Sequence, residues 1–283
     1  MINELLKNRS NLGCFNAALN LYSENFSKIF RETWLWTLFF SLINGLFSAA
    51  GNMMANTSSL LNATFIIYLT ISILLDSRIK SSAMAMINGD SVKNNFPRIL
   101  KVNAFTIAAL VIAILLTVGI LIFVVKLPFI SNLSASTGIM LIAVISFCIG
   151  IIALLFISPF AYSMTKYLLT PNMKFSSTLM NTYKKGISKV GFIFSNIIIM
   201  LLITLVCIIL LCIPAVITNI AYQVDAYGIA TGDPSGLPYY FPLLNGISSM
   251  LMAFVLQYIS LYCILVLCYT YGNLESFFSS NED

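Results

Sequence analysis

The sequence predicts an all-α protein that crosses a membrane several times. Three observations lead to this fold class: the composition, the long apolar runs and the distribution of positive charge. Of the 283 residues, 59% are hydrophobic and 9% are charged, whereas soluble domains carry about 25% charged residues. So few charges cannot cover a soluble surface of this size, and we predict a single integral membrane domain over residues 1–283.

Six apolar runs are predicted to be membrane spans, because a helix needs roughly 18 apolar residues to cross a bilayer. The fifth run would form a helix about 46 Å long at 1.5 Å per residue, well beyond the ~30 Å hydrocarbon core. We expect it to tilt, to project or to bend at Pro214, which lacks a backbone N–H. The runs cover about 33–50, 60–75, 102–125, 138–164, 190–220 and 247–271.

Lysine and arginine are concentrated in alternate segments, and this predicts the orientation of the chain. All of the 15 Lys and Arg residues except Lys126 lie before the first span, between the second and third, or between the fourth and fifth. Basic segments stay on the cytoplasmic side. Both termini are therefore predicted to be cytoplasmic, and the six spans form three hairpins.

A short pattern recurs before the first, third and fifth spans. It reads ENFSKIF at 24–30, NNFPRIL at 94–100 and KGISKVG at 185–191. Before the first and third copies, apolar residues fall at the i, i+3, i+4, i+7 spacing of a helix, whereas Gly89 and Asp90 weaken the second. We predict an amphipathic helix in the membrane surface before each hairpin. The alternative is that a chain rich in Phe, Ile, Asn and Ser matches itself by chance.

These segments define three pseudo-repeats, about 14–78, 79–170 and 171–275. Their basic side chains are expected to face anionic lipid phosphates. Membrane lipids are thus the first expected partner, a protein partner or a second copy of the chain is the other, and no nucleic acid is expected. The predicted membrane-surface residues are Lys28, Arg31, Arg98, Lys101, Lys184, Lys185 and Lys189.

Five amide side chains lie within the predicted spans, where an amide is unfavourable unless it has a partner. They could line a polar cavity or a groove for a lipid headgroup, and we take them as ligand-binding candidates. The alternative is hydrogen bonding between helices, worth about 0.6–2 kcal/mol for each bond. The five residues are Asn44, Asn103, Asn196, Asn219 and Gln257.

Small residues recur four apart in the first predicted span, at Ser41, Gly45 and Ala49. Such a face lets helices pack closely. Internal packing of the bundle and association with a second copy both fit this spacing.

The sequence predicts no catalytic residue, no metal site and no cofactor. It contains no histidine, which is the commonest acid–base residue and metal ligand. The ionisable residues Asp76, Lys126 and Lys166 lie at the edges of predicted spans rather than in their middle, which argues against a proton relay. Asp225 and Asp233 are expected to be solvated turn residues in a loop, with a paired-carboxylate metal site as the alternative.

Two stretches carry a resemblance to a known family. ALNLYSENFSKIFRETWLW at 18–36 and TLMNTYKKGISKVGFIF at 178–194 each place a Tyr and a polar spacer before a base at the membrane edge. In this the chain resembles a broad group of bacterial six-span proteins that includes the membrane-domain family associated with glycerophosphodiester phosphodiesterases. The resemblance implies a multi-pass protein of the bacterial inner membrane. It implies no enzymatic activity, because the catalytic barrel of those enzymes is absent.

Two functions therefore remain open. The first is a non-catalytic membrane protein that binds or passes a lipid or apolar small molecule between its hairpins. The second is a membrane scaffold or assembly subunit that holds a protein partner on its amphipathic, base-rich cytoplasmic face. A lateral opening favours the first, and a closed bundle with an external patch favours the second.

Overall fold

Helices joined by short connections make up the part of the chain that the structure describes, and no strand occurs there. A computed structural model describes residues 2–53, 58–125, 135–171, 173–233, 236–238 and 240–280. This confirms the predicted all-α class. The helices are α1 (Ile2–Leu5), α2 (Asn11–Met53), α3 (Ser58–Asn88), α4 (Val92–Val125), α5 (Ala135–Leu169), α6 (Phe175–Ser188), α7 (Val190–Ala230) and α8 (Phe241–Ser279).

Five of these helices, α2, α4, α5, α7 and α8, are long and apolar enough to cross a membrane. They correspond to five of the six predicted spans. The predicted second span, 60–75, falls in α3, which is not one of the five. Lys126 and the residues between α2 and α3, 54–57, lie outside the described residues.

Several helices are much longer than the bilayer is thick. α2, α7 and α8 contain 43, 41 and 39 residues, or roughly 60 Å each at 1.5 Å per residue, about twice the hydrocarbon core. Pro214 lies inside α7 without ending it, and α7 continues past the predicted end of the span to Ala230. The prediction that Asp225 lies in a loop is therefore wrong.

The main apolar core lies towards one end of the bundle. The main apolar cluster joins the N-terminal parts of α2, α4 and α7 to the C-terminal parts of α3, α5 and α8, through residues such as Cys14, Met84, Tyr162, Ile193 and Val266. By contrast, no residue in the most apolar stretches of α4 and α5 is buried within the protein. These stretches are the faces that would meet lipid.

The long helices form a closed ring. Each packs against its neighbour in the order α2, α3, α4, α5, α7 and α8, and α8 returns to pack along α2. Among the described residues, the α2–α8 contact is the most extensive between any two helices. The first and last long helices therefore close the bundle.

Only the third predicted amphipathic segment is a separate helix. α6 ends at Ser188, where Lys189 leaves helical geometry (φ −126°, ψ 28°) before α7 begins. The first segment is continuous with α2 and the second with α4, so the prediction of three separate in-plane helices is wrong for these two. No Gly or Pro interrupts residues 24–36, and Pro97 lies close to the start of α4, where it removes one hydrogen bond without ending the helix.

Candidate functional site

An apolar cleft with a volume of about 770 Å³ lies between α4, α5 and α7. Its volume is within the range of roughly 300–1,000 Å³ that small-molecule sites occupy. Among the described residues, Thr117 is the only polar side chain on its walls, and its hydroxyl donates to the Ala113 carbonyl at 2.8 Å within α4. The cleft therefore presents an almost wholly apolar surface.

Small residues create the space between these three helices. Ala113 of α4 and Gly150 and Ala153 of α5 all line the cleft. A Cβ added to Gly150 would meet no atom within 4 Å, so the space beside it is open. Larger residues form the rest of the wall, among them Leu110, Ile114, Phe147, Leu154, Ile198 and Leu202.

The amphipathic helix α6 packs against α5 beside one end of the cleft. The Tyr183 hydroxyl donates to the Phe156 carbonyl at 3.0 Å. Gly186 lies so close to α5 that an added Cβ would stand 2.7 Å from the Pro159 carbonyl oxygen. Ile157, between these contact points, lines the cleft. The third predicted amphipathic helix thus covers the last turns of α5 next to the apolar space.

A second site surrounds the carboxylate of Asp76, which joins three helices. Asp76 Oδ2 lies 2.7 Å from Lys80 Nζ on the same helix, α3. It also accepts from Asn103 Nδ2 of α4 at 2.8 Å, while Asp76 Oδ1 accepts from Gln257 Nε2 of α8 at 2.8 Å. The side chains of Asp76 and Lys80 are only 19% and 20% exposed. Removing the charge of either Asp76 or Lys80 would leave the charge of the other largely buried without its partner.

Each of the five predicted amides forms a hydrogen bond to another helix. Asn103 and Gln257 both donate to the carboxylate of Asp76. Asn44 accepts from the Tyr68 hydroxyl at 2.7 Å. Asn196 donates to Thr270 at 3.0 Å, and Asn219 donates to Asn245 at 3.1 Å. None of the five lines the apolar cleft, so ligand binding by these amides stays a prediction.

The predicted surface bases fall into two groups. Lys28, Arg31, Lys101, Lys184 and Lys185 have exposed side chains. Arg98 instead donates to the carbonyls of Tyr167 and Thr170 at the end of α5, and its guanidinium lies 5.0 Å from the centre of the Tyr167 ring. Lys189 lies 3.6 Å from the centre of the Phe277 ring.

Sequence reasoning missed two features of these sites. Asp76 was expected to be an edge residue, although the four-residue spacing to Lys80 is the signal of an ion pair within a helix. The sequence carries no signal of the apolar cleft, because a residue that lines the cleft has the same character as any other apolar residue of a span. In the described part of the chain no three His, Cys, Asp or Glu residues lie close enough together to hold a metal ion.

Comparisons with known proteins do not add to this picture. No protein-family model matches the chain, and neither a curated protein nor a solved structure does. The resemblance to the phosphodiesterase-associated membrane family stays a prediction.

Proposed function

We propose that this chain is a non-catalytic, multi-pass membrane protein whose apolar cleft binds a lipid chain or another apolar small molecule. The observation that carries the proposal is the cleft of about 770 Å³ between α4, α5 and α7. Water inside it would find hardly any hydrogen-bonding partner, and an apolar space without polar partners favours an apolar occupant.

The surroundings of the cleft support entry from the bilayer. Beside the cleft-lining residues of α4, the side chains of Ile112, Leu115 and Leu116 are 57%, 65% and 61% exposed. Faces of this kind are covered by lipid in a membrane protein. An occupant can then move between the bilayer and the cleft without crossing water.

The contact between the chain ends supports the predicted topology. The backbone N–H of Arg9 donates to Asn273 Oδ1 at 2.7 Å, which places residues near the two ends of the chain at the same end of the bundle. Termini on one side require an even number of spans, so we take α3 as the sixth. Since most bases also belong to this end, we assign it to the cytoplasmic side of a bacterial inner membrane.

The Asp76 cluster has a supporting role in this proposal. It fixes α4 against α3 and α8 through Asn103. Asn103 is two turns before Leu110, where the cleft begins on α4. A fixed α4 keeps the cleft open in the absence of an occupant.

A membrane scaffold is the second candidate, and one observation favours it. On α6, the side chains of Met180 and Ile187 are 78% and 48% exposed, and Lys184 lies between them. This apolar and basic face could hold a protein partner or a second copy of the chain. Lipid at the membrane surface covers such a face equally well, so we rank this function second.

Native mass spectrometry of the protein from gently solubilised membranes tests the first function. We expect the wild-type protein to retain a lipid or other apolar molecule. Gly150→Phe should abolish its retention, because the new ring would fill the cleft. Gly119→Phe is the matched control, since Gly119 of α4 also has open space beside it but does not line the cleft.

Two results would contradict the proposal. One is a wild-type protein that carries no bound small molecule. The other is equal retention by Gly150→Phe and Gly119→Phe. A protein partner at fixed stoichiometry, with no retained ligand, would favour the scaffold.

A further inference from the structure

A smaller cleft, lined by both polar and apolar side chains, lies at the base-rich end of the bundle, separate from the apolar cleft. It has a volume of about 260 Å³. Two cationic side chains, Arg9 and Lys189, and two amides, Asn8 and Asn273, contribute to its wall. Phe192, Leu274 and Phe277 complete it. The N-terminal segment, the start of α7 and the end of α8 thus meet around one small space.

Neither of the two cations of this cleft forms an ion pair with a described carboxylate. The ion pairs among the described residues of the chain are Lys7–Glu4, Lys80–Asp76 and Lys166–Glu275. None of them involves Arg9 or Lys189. Two cations that share a small cleft without a carboxylate repel each other. An anion between them would remove that repulsion.

The arrangement of both cations is fixed by neighbouring groups. The Arg9 guanidinium donates to the carbonyls of Glu4 and Leu5 at 2.7 and 3.3 Å and lies 5.0 Å from the centre of the Tyr269 ring. Lys189 rests over Phe277 at 3.6 Å. A site whose cations are already positioned loses less side-chain entropy when it binds an anion.

The amides add hydrogen-bond donors. Asn273 Oδ1 accepts from the Arg9 backbone N–H. The other end of this amide, its NH2 group, is the end that can donate to a ligand. Asn8 is exposed at the rim. A phosphate group has several acceptor oxygens and forms strong charge-assisted hydrogen bonds with Arg and Lys.

We propose that this cleft is a binding site for a phosphate group, held between Arg9 and Lys189. The phosphate can belong to an anionic phospholipid, since the cleft lies beside the first turn of α7, or to a soluble phosphate compound. This site does not depend on the apolar cleft, and its test uses different residues.

The test uses the full chain in two settings. In the first, the protein is reconstituted in nanodiscs of phosphatidylglycerol mixed with phosphatidylcholine, and lipids that stay bound are identified by native mass spectrometry. In the second, the protein is titrated with inorganic phosphate in a neutral detergent, with thermal unfolding as the readout and sulfate-free buffer throughout.

Lys189→Gln is expected to weaken binding of the favoured probe by about tenfold or more, because a hydrogen bond to a charged group is lost. Lys189→Arg should restore most of the binding. Lys93→Gln removes the same charge from an exposed position outside the cleft and should leave binding unchanged. Rescue by arginine separates loss of a ligand contact from misfolding.

The outcomes distinguish the phosphate of an anionic phospholipid from that of a soluble compound. Retention of phosphatidylglycerol that depends on Lys189 but not on Lys93 identifies a lipid phosphate. Stabilisation by inorganic phosphate with the same dependence, without selective lipid retention, identifies a soluble phosphate compound. Equal binding by wild type, Lys189→Gln and Lys93→Gln, or no binding of either probe, overturns the proposal.

Discussion

Gly45 of α2 and Gly246 of α8 pack directly against each other. A Cβ on Gly45 would lie 2.6 Å from the Gly246 carbonyl oxygen, and a Cβ on Gly246 would lie 2.9 Å from the Gly45 carbonyl oxygen. Ala49 is the next neighbour, 3.1 Å from that second Cβ position. The small-residue face of the first span thus serves contact within the chain, at the pair of helices that closes the ring.

Gly45→Val is expected to destabilise the protein, because the side chain would press on backbone atoms that cannot rotate away. Overpacking of this kind costs about 1–3 kcal/mol. Gly119→Val is the matched control, since its Cβ would meet no atom within 4 Å. Thermal unfolding in detergent measures the difference. Equal unfolding temperatures for the two variants would show that α2 and α8 do not approach each other in this way.

The Asp76 carboxylate and the Gln257 amide should be energetically coupled. Asp76→Asn removes the charge that pairs with Lys80 and places an N–H donor among other donors. We expect it to destabilise the protein by about 1–3 kcal/mol. Gln257→Leu should cost about 0.6–1.7 kcal/mol, the range of bonds between membrane helices. Together the two substitutions should cost less than the sum of their separate effects, since they share a hydrogen bond.

Asn44 provides the control for this double-mutant cycle. Its partner is Tyr68, so it shares no contact with Asp76. Asn44→Leu combined with Asp76→Asn should therefore be additive within about 0.5 kcal/mol. Additivity in the Asp76–Gln257 pair as well would contradict the hydrogen bond between α3 and α8.

The sequence predicts well those features that depend on long stretches of similar residues. Apolar runs of span length need helices, because an unpaired backbone is too costly in hydrocarbon, and five such helices are present. The order of packing around the ring could not be predicted. It depends on individual close contacts, such as Gly186 against Pro159, which composition does not reveal.

The sequence predicts that the amides within spans need hydrogen-bond partners, but not which residues those partners are. An amide within a span needs a hydrogen-bond partner. This requirement is the reason that the sequence indicates Asn103 and Gln257 as candidates. Their meeting at Asp76 could not be foreseen, because the residues are far apart in sequence and the rotation of each helix sets which side chains face inward. The same rotation decides which apolar residues line the cleft and which meet lipid.

Arg98 is expected to act as a structural residue at the end of α5 rather than as a lipid contact. Its guanidinium donates to the Tyr167 and Thr170 carbonyls, and cations near a helix C-terminus are stabilising. Arg98→Lys should lower stability by roughly 1–2 kcal/mol, because a lysine cannot reproduce the planar set of donors. Lys101→Gln, at an exposed position one turn away, should change stability by less than about 0.5 kcal/mol. A larger loss from Lys101→Gln than from Arg98→Lys would contradict this assignment.

Asn196→Leu is expected to cost less than Gln257→Leu, although Asn196 is fully buried and Gln257 is 5% exposed. Asn196 Oδ1 has no hydrogen-bond partner among the described residues, so leucine removes an unsatisfied carbonyl together with the bond to Thr270. The Thr270 hydroxyl keeps its own acceptor, the Val266 carbonyl at 2.8 Å.

By contrast, Gln257→Leu removes a donor from the largely buried charge of Asp76, whose desolvation is then less well compensated. Measuring the free energy of unfolding of both variants in the same detergent gives the comparison directly. The expected order is a near-neutral Asn196→Leu and a clearly destabilised Gln257→Leu. The reverse order would mean that Asn196 Oδ1 has a partner, such as a bound molecule, whose loss carries the larger cost.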